Sequence, residues 1–511
     1  MRNGKTHRLR GLLALSIVLA MALAGCSSES PAASESQAGS TPPASSGASA
    51  SGTASGSEEL EPVELIWYYP QAPVPADLQA VNDALNKITQ ERINATIKLQ
   101  PVIYDNYATK LNTIVAANEA IDIIWTATWL FEWVPNQKKG VFQPLNELLE
   151  SHGKKLFDIM PEKFWNDVKL DGQIYGVPGY QIAARQPSFV IQKRFADKYN
   201  LDPSTIKKPE DLEPFLKQVK AGEPDIVPFG IAQSWYDELL WGYDPFISVK
   251  QNDPNHQVIT SVQSEEYKQY VTLMRSWYTQ DLINKDAATA GDITAVISKG
   301  DVAAWYDYTG KPGSETDFKN RTGGHDVIMI PLSQPYFTGS ASTMNAISRT
   351  SKNPERAMMF LELVNTDKEV YNLLSYGLEG KHYTKLDGEF IKVNPEAGYT
   401  IGSDWVFGNT MNGYLMEGTP ADKYEQTKKV NDEAIVSPYY GFIFNTDPVK
   451  TELANVEAVN EEYSPGLDSG TVDPEKILPT YLDKQLKAGA DRIAAEKQKQ
   501  LDEWLEANGK K

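Results

Sequence analysis

The side chains with most to offer a ligand in this chain are aromatic. Eleven tryptophans and twenty-five tyrosines, several in polar, loop-like sequence, supply flat apolar faces with a polar edge. Such faces stack on the slightly positive C–H face of a sugar ring or enclose a cation. Tyr69, Gln71, Trp125 and Trp129 are the first candidates, the amide of Gln71 being suited to hydroxyls. Groups for making and breaking bonds are scarce. There is no H-E-x-x-H, no G-x-S-x-G and no phosphate-cradling glycine loop with lysine. His152, His256, His325 and His382 are widely spaced and Cys26 is the only cysteine, so neither a metal centre nor another cofactor is expected. Carboxylates are common enough for some pair to resemble a glycosidase dyad by chance. No enzyme is expected.

The elements that must position these aromatics follow from periodicity. Val63 to Tyr69 is an apolar and aromatic run of strand type, and Leu78, Val81, Leu85 and Ile88 then recur at helical spacing. A second strand at 96–99, a helix from about Asp105 with Tyr107, Leu111 and Ile114 inward, and a third strand at 121–125 complete a β-α-β-α-β order. That order predicts a parallel sheet, with ligands beyond the carboxyl ends of its strands. Those ends are Tyr69 and Gln71, Tyr104 and Asn106, and Trp125 to Trp129. Core packing is the alternative for each aromatic; Trp129 and Trp133, four apart, could share a buried helix face.

The chain has 511 residues, enough for two or more domains, and a formal charge of -19. This acidity excludes nucleic-acid and anionic-lipid recognition, which need clustered Lys and Arg. At the N-terminus, Arg2, Lys5, Arg8 and Arg10 precede an apolar run from Gly11 to Ala24, the pattern of a secretory signal peptide. Leu23-Ala24-Gly25-Cys26 resembles the lipobox of bacterial lipoproteins, which implies that residues 1–25 are removed and Cys26 is lipidated, anchoring the protein outside the cell membrane. Without the four basic leader residues the charge of -19 becomes -23. Residues 26–57 are dominated by Ser, Ala, Gly, Pro and Thr, the composition of a disordered spacer.

Asp171-Gly172-Gln173-Ile174-Tyr175-Gly176-Val177-Pro178 resembles the crossover between lobes in the extracellular solute-binding proteins of ABC importers. Further matches follow in the family's order. Ser188 to Lys193 is similar to the next strand, Ser298 to Asp307 to a strand ending at the ligand, Gly339 to Ile347 to the return crossing, and Asn353-Pro354 to a helix start. Pro438 to Phe444 resembles an uncharacterised tail of a lipoprotein subgroup. The resemblance implies an α/β, two-lobed periplasmic-binding-protein-like fold, each lobe a mostly parallel sheet flanked by helices. Lobe one is expected at 58–178 with about 337–375, lobe two at about 179–336 with 376–435, and a helical tail at about 436–511. It places Trp305, Asp307 and Tyr308 at the cleft from lobe two, with Asn345 near the return crossing; Trp235 and Trp241, in an aromatic loop of lobe two, are further ligand-binding candidates.

The function so implied is capture of a small solute, with an oligosaccharide leading, and delivery to the membrane subunits of an ABC importer by a monomeric, lipid-anchored protein. A cationic ligand in an aromatic cage is the rival on the same scaffold. A secreted glycan hydrolase and a sensor partnering a membrane kinase are the alternatives of other classes.

Overall fold

Residues 60–510 are described by the computed structural model; the expected signal peptide, the lipidation expected at Cys26 and the expected spacer lie outside the described residues. Strands Val63–Pro70, Ala95–Val102 and Ile123–Thr126 alternate with helices Leu78–Ile93 and Tyr104–Ala116, as the apolar periodicity predicts. Val81, Leu85, Thr89 and Ile93 form the buried stripe of the first helix, which ends where Asn94 turns left-handed at φ 43°. The three strands pair in parallel. Two short strands from far along the chain, Met344–Ile347 and Val177–Pro178, extend the sheet in antiparallel fashion. One apolar core surrounds this first lobe.

The second lobe has a four-stranded sheet in the order Val327–Pro331, Ser188–Gln192, Val302–Asp307, Val227–Gly230. Only the last pair is parallel; Ser188–Gln192 runs against both of its neighbours. The sheet is therefore mixed, where a mostly parallel one was expected, because the strand arriving from the crossover enters it in the opposite direction. Helix Glu265–Thr279 covers it with Tyr267, Tyr270, Val271, Met274 and Trp277.

Between the lobes, Ala184–Arg185, Tyr336–Phe337 and Ile435–Val436 form a small sheet of their own. Helix Pro354–Thr366 begins at the expected proline, although Asn353 makes no side-chain capping bond. Within 376–435, Gly418 accepts from Thr316 of lobe two, while other residues turn to lobe one. Val406, Phe407 and Ala434 join the core of lobe one rather than lobe two, since their apolar side chains meet the aromatic end of its sheet.

The C-terminal helices Lys450–Asp468, Pro474–Ala488 and Ala490–Ala507 follow the last crossing. Asp473 caps the second of them by accepting from Glu475 N–H. Leu467, Leu478 and Tyr481 enter the core of lobe two. Gly470, at φ +72°, lets this tail approach Met274 so closely that a Cβ would lie 2.1 Å from its carbonyl oxygen.

Candidate ligand-binding site

At the carboxyl end of Ile123–Thr126 the chain makes a tight loop. Thr126 Oγ1 donates to the Phe131 carbonyl at 2.5 Å, Trp133 N–H to Ala127 at 3.0 Å and Thr128 N–H to Ala341 at 3.0 Å. With its backbone pinned, the loop turns Trp129 outward. Its side chain is 53% exposed, and its indole N–H donates to the Ser342 carbonyl at 2.8 Å. Tyr104 stacks beside it at 6.3 Å and 18°, while Trp405 lies 6.2 Å away at 54°. Trp125 supports this group edge-on, 5.7 Å from Trp129 and 5.8 Å from Trp405. Trp125 itself is fully buried, its indole donating to Thr343 Oγ1 at 2.8 Å.

Two polar candidates act from beneath. Asn345 accepts from Trp67 Nε1 and donates to the Val406 carbonyl, both at 2.9 Å. Gln71 accepts from Ser403 Oγ at 3.1 Å. Both are buried, so they hold the 403–406 loop that carries Trp405 rather than facing the opening. Tyr69 is core, 5.2 Å from Trp67 and 5.3 Å from Phe407, and burial pushes its phenol far up.

Across the opening, Val302–Asp307 delivers its side chains less directly than expected. Trp305 is 1% exposed and packs with Phe318 at 5.9 Å. Tyr306 donates to Asp237 Oδ2 at 2.7 Å; burial, then the Asp237 charge, raises its phenol so far that it stays a donor. The Asp307 carboxylate accepts from Thr309 N–H at 2.7 Å and Oγ1 at 2.8 Å, and burial raises its pKa against these bonds. Tyr308, just beyond the strand, is 46% exposed. The Arg185 guanidinium lies 4.1 Å from its ring centroid and donates to Asp237 at 2.7 Å, while Arg185 Nε is buried without a partner. Trp235 belongs to the lobe-two core, and Trp241 is half-buried and stacked on Tyr236 at 6.3 Å. Neither reaches the opening.

A cavity of about 350 Å³ lies between these surfaces. Trp129, Ser342 and Trp405 line it from lobe one, Gln181, Ile182 and Ala184 from the crossing, and Tyr308, Lys311, Asp317 and Arg321 from lobe two. Of the residues expected here, Trp129 and Tyr308 line the cavity; Trp125, Gln71 and Asn345 support it; Tyr69, Trp235, Trp241, Trp305 and Asp307 do not line it. Trp405, Lys311, Asp317 and Arg321 line the cavity without having been expected there. Trp405 carried one usable signal, a tryptophan set in the polar stretch Gly402-Ser403-Asp404. Among the described residues no group of three or more His, Cys, Asp or Glu is placed to hold a metal ion.

Residues 83–377 match the family of bacterial extracellular solute-binding proteins, and 438–506 match a domain of unknown function. A carbohydrate ABC transporter substrate-binding protein of Streptococcus pneumoniae is 30% identical, the match covering 84% of this chain and 89% of that protein. The crystal structure of an N-glycan transport solute-binding protein from Streptococcus pneumoniae is similar at a TM-score of 0.77 and 27% identity, over 87% of this chain and 99% of the other. Structures of that protein with Man1GlcNAc and Man5GlcNAc match at TM-scores of 0.70 and 0.67, both at 28% identity, over 87% and 88% of this chain and 100% and 99% of those chains. Lipoprotein LipO of Bacillus subtilis is 24% identical over 62% of this chain and 66% of its own length.

Proposed function

The chain belongs to the bacterial extracellular solute-binding proteins, and from that premise we propose that it captures a neutral oligosaccharide in the interlobe cavity and passes it to the membrane subunits of an ABC importer. The family works outside the cell, binding and releasing a solute without altering it. One observation carries the choice of ligand: Trp129 is held face-out by Tyr104 and by its bond to Ser342, opposite Tyr308 under Arg185. Exposing so large an apolar side chain forgoes its burial energy, about 2–3 kcal/mol for a large side chain. A sugar's C–H face restores that burial, and its hydroxyls find Arg185, Asp317 and Arg321. The sugar binding reported for the pneumococcal relatives supports the same class of solute. The cavity's cations oppose the rival cationic ligand.

Titration calorimetry of the purified protein with Man1GlcNAc and Man5GlcNAc tests this reading. Saturable binding at one site, with the glycan recovered intact, is expected; no binding of either glycan overturns it. Lys311 and Arg321, which make no ion pair among the described residues, favour a second reading in which the sugar is acidic. A uronate oligosaccharide that binds more tightly than Man5GlcNAc in 0.15 M salt would establish that reading.

We also propose that Cys26 carries the lipid anchor and that the protein serves its importer as a monomer. The Leu-Ala-Gly-Cys sequence and the lipoprotein relative support the anchor. No helix among the described residues is long and apolar enough to cross a membrane. Cys26→Ala is expected to leave the protein released or with its leader uncut; a cleaved, still-anchored variant would refute the anchor.

A further inference from the structure

A second cavity, of about 610 Å³, is bordered by the return loop 338–342. Ser342, whose carbonyl holds the Trp129 indole, borders both this cavity and the cleft. One wall is the strap 440–447 at the start of the C-terminal tail. The strap is exposed along most of its length and is fastened to the last helix by reciprocal bonds between Asn445 and Gln500, 2.8 and 3.0 Å. Phe246, Tyr440 and Phe444 give this cavity aromatic faces, and Lys138 gives it a donor.

Asp167 supplies the polar anchor. Its Oδ2 accepts from Ser340 N–H at 2.5 Å and Ser340 Oγ at 2.8 Å, fixing the return loop. Its Oδ1 is buried and has no hydrogen-bond partner, and Asp167 lines the cavity. A buried carboxylate oxygen without a partner costs about 1–3 kcal/mol or more, which a donor from an occupant would recover. The cleft cavity, at about 350 Å³, is at the low end of the range of about 300–1,000 Å³ for small-ligand sites. A branched oligosaccharide seated on Trp129 therefore overflows it, and the neighbouring cavity, bordered by the same Ser342, is the space beside it.

We propose that this second cavity is an accessory subsite for one arm of a neutral branched oligosaccharide, with Asp167 accepting from a hydroxyl and Phe444 of the tail strap packing on a ring face. The inference rests on the oligosaccharide reading of the cleft and makes the tail a determinant of glycan size. Asp167, through Ser340, and Trp129, through Ser342, then read two parts of one ligand from the same loop.

The test compares Man1GlcNAc with Man5GlcNAc on the purified wild type and on Phe444→Ala and Asp167→Asn, with melting temperatures as folding controls. Phe444 is only partly buried, on an exposed strap, so its truncation leaves the fold intact even if Asp167→Asn disturbs the return loop. For each folded variant the expected result is a loss of at least about tenfold in Man5GlcNAc affinity, with Man1GlcNAc changed by less than about twofold. Equal losses for both glycans, or none for either, in Phe444→Ala overturn the subsite while leaving the cleft reading intact. A wild type that binds neither glycan overturns both.

Discussion

Lobe one and lobe two are built from the same kinds of element, yet they treat their tryptophans differently where they face each other. In lobe one the strand tryptophans Trp67 and Trp125 are wholly buried, while Trp129, in the turn beyond the third strand, and Trp405, on the separate 403–406 loop, carry the aromatic face outward. Lobe two buries Trp235, Trp277 and Trp305 and offers the opening one tyrosine with Lys311, Asp317 and Arg321 near it, and Arg185 of the crossing lies over that tyrosine. One half of the cleft is an apolar platform, and the other is a set of donors and acceptors. Within a sheet covered on both faces, every strand position is interior whichever way its side chain points. A tryptophan becomes available to a ligand only after the strand has ended.

The largest expected effect tests whether that division holds. Trp305→Ala should destabilise the protein by ~3–5 kcal/mol, as large-to-small changes in a packed core do, whereas Trp129→Ala should leave the melting temperature nearly unchanged. Calorimetric or fluorescence melts decide it. Equal destabilisation by the two would erase the contrast between strand and turn tryptophans.

Lobe two also depends on the tail for its core, and Asp468 gives that junction a pH signature. Its carboxylate accepts from Tyr267 Oη at 2.6 Å, and burial raises its pKa from 3.8 to about 6. Between these values the folded state binds more protons than the unfolded one, so stability falls as pH rises from about 4 to about 6. The penalty is complete above pH 6 and absent below pH 4. Asp468→Asn should therefore stabilise the protein at pH 8 relative to pH 4 by an amount on the order of 3 kcal/mol at most. A gain independent of pH in denaturant titrations would contradict this origin.

Smaller effects separate the two faces of the cleft. Trp129→Ala should weaken oligosaccharide binding by ~1–3 kcal/mol. Tyr308→Leu, which keeps an apolar side chain but removes the ring under Arg185, should weaken it by about 0.5–1 kcal/mol. Calorimetric titration of both variants gives the ranking, and a larger loss at Tyr308 would make lobe two the dominant face.

How far the chain could be read without its structure follows the same line. The β-α-β-α-β opening was legible because its apolar spacing is local, and so was the helix start at Pro354. Expecting Trp305 at the opening failed because a strand end names a region, not the face on which a side chain emerges. Trp405 follows no strand of the sheet, so the polar stretch around it marked it as a loop tryptophan without saying where the loop lies. Gln71 and Asn345, from distant parts of the chain, bring its loop to the sheet, and no pattern in neighbouring residues encodes that meeting. The partner of Asp167, Ser340, is 173 residues away, illegible for the same reason.

The bond from Trp67 to Asn345 spans 278 positions, and it sets a timetable for maturation. A chain that emerges from its N-terminus presents Ile123–Thr126 long before Met344–Ile347 arrives to cover that edge. Until then the apolar strand edge is open to pairing with other chains. Contacts this distant in sequence also slow folding. The whole of lobe two must emerge in the interval, so the first lobe to be synthesised is not the first that can finish. As the chain emerges, the edge of Ile123–Thr126 stays uncovered until that one four-residue strand arrives.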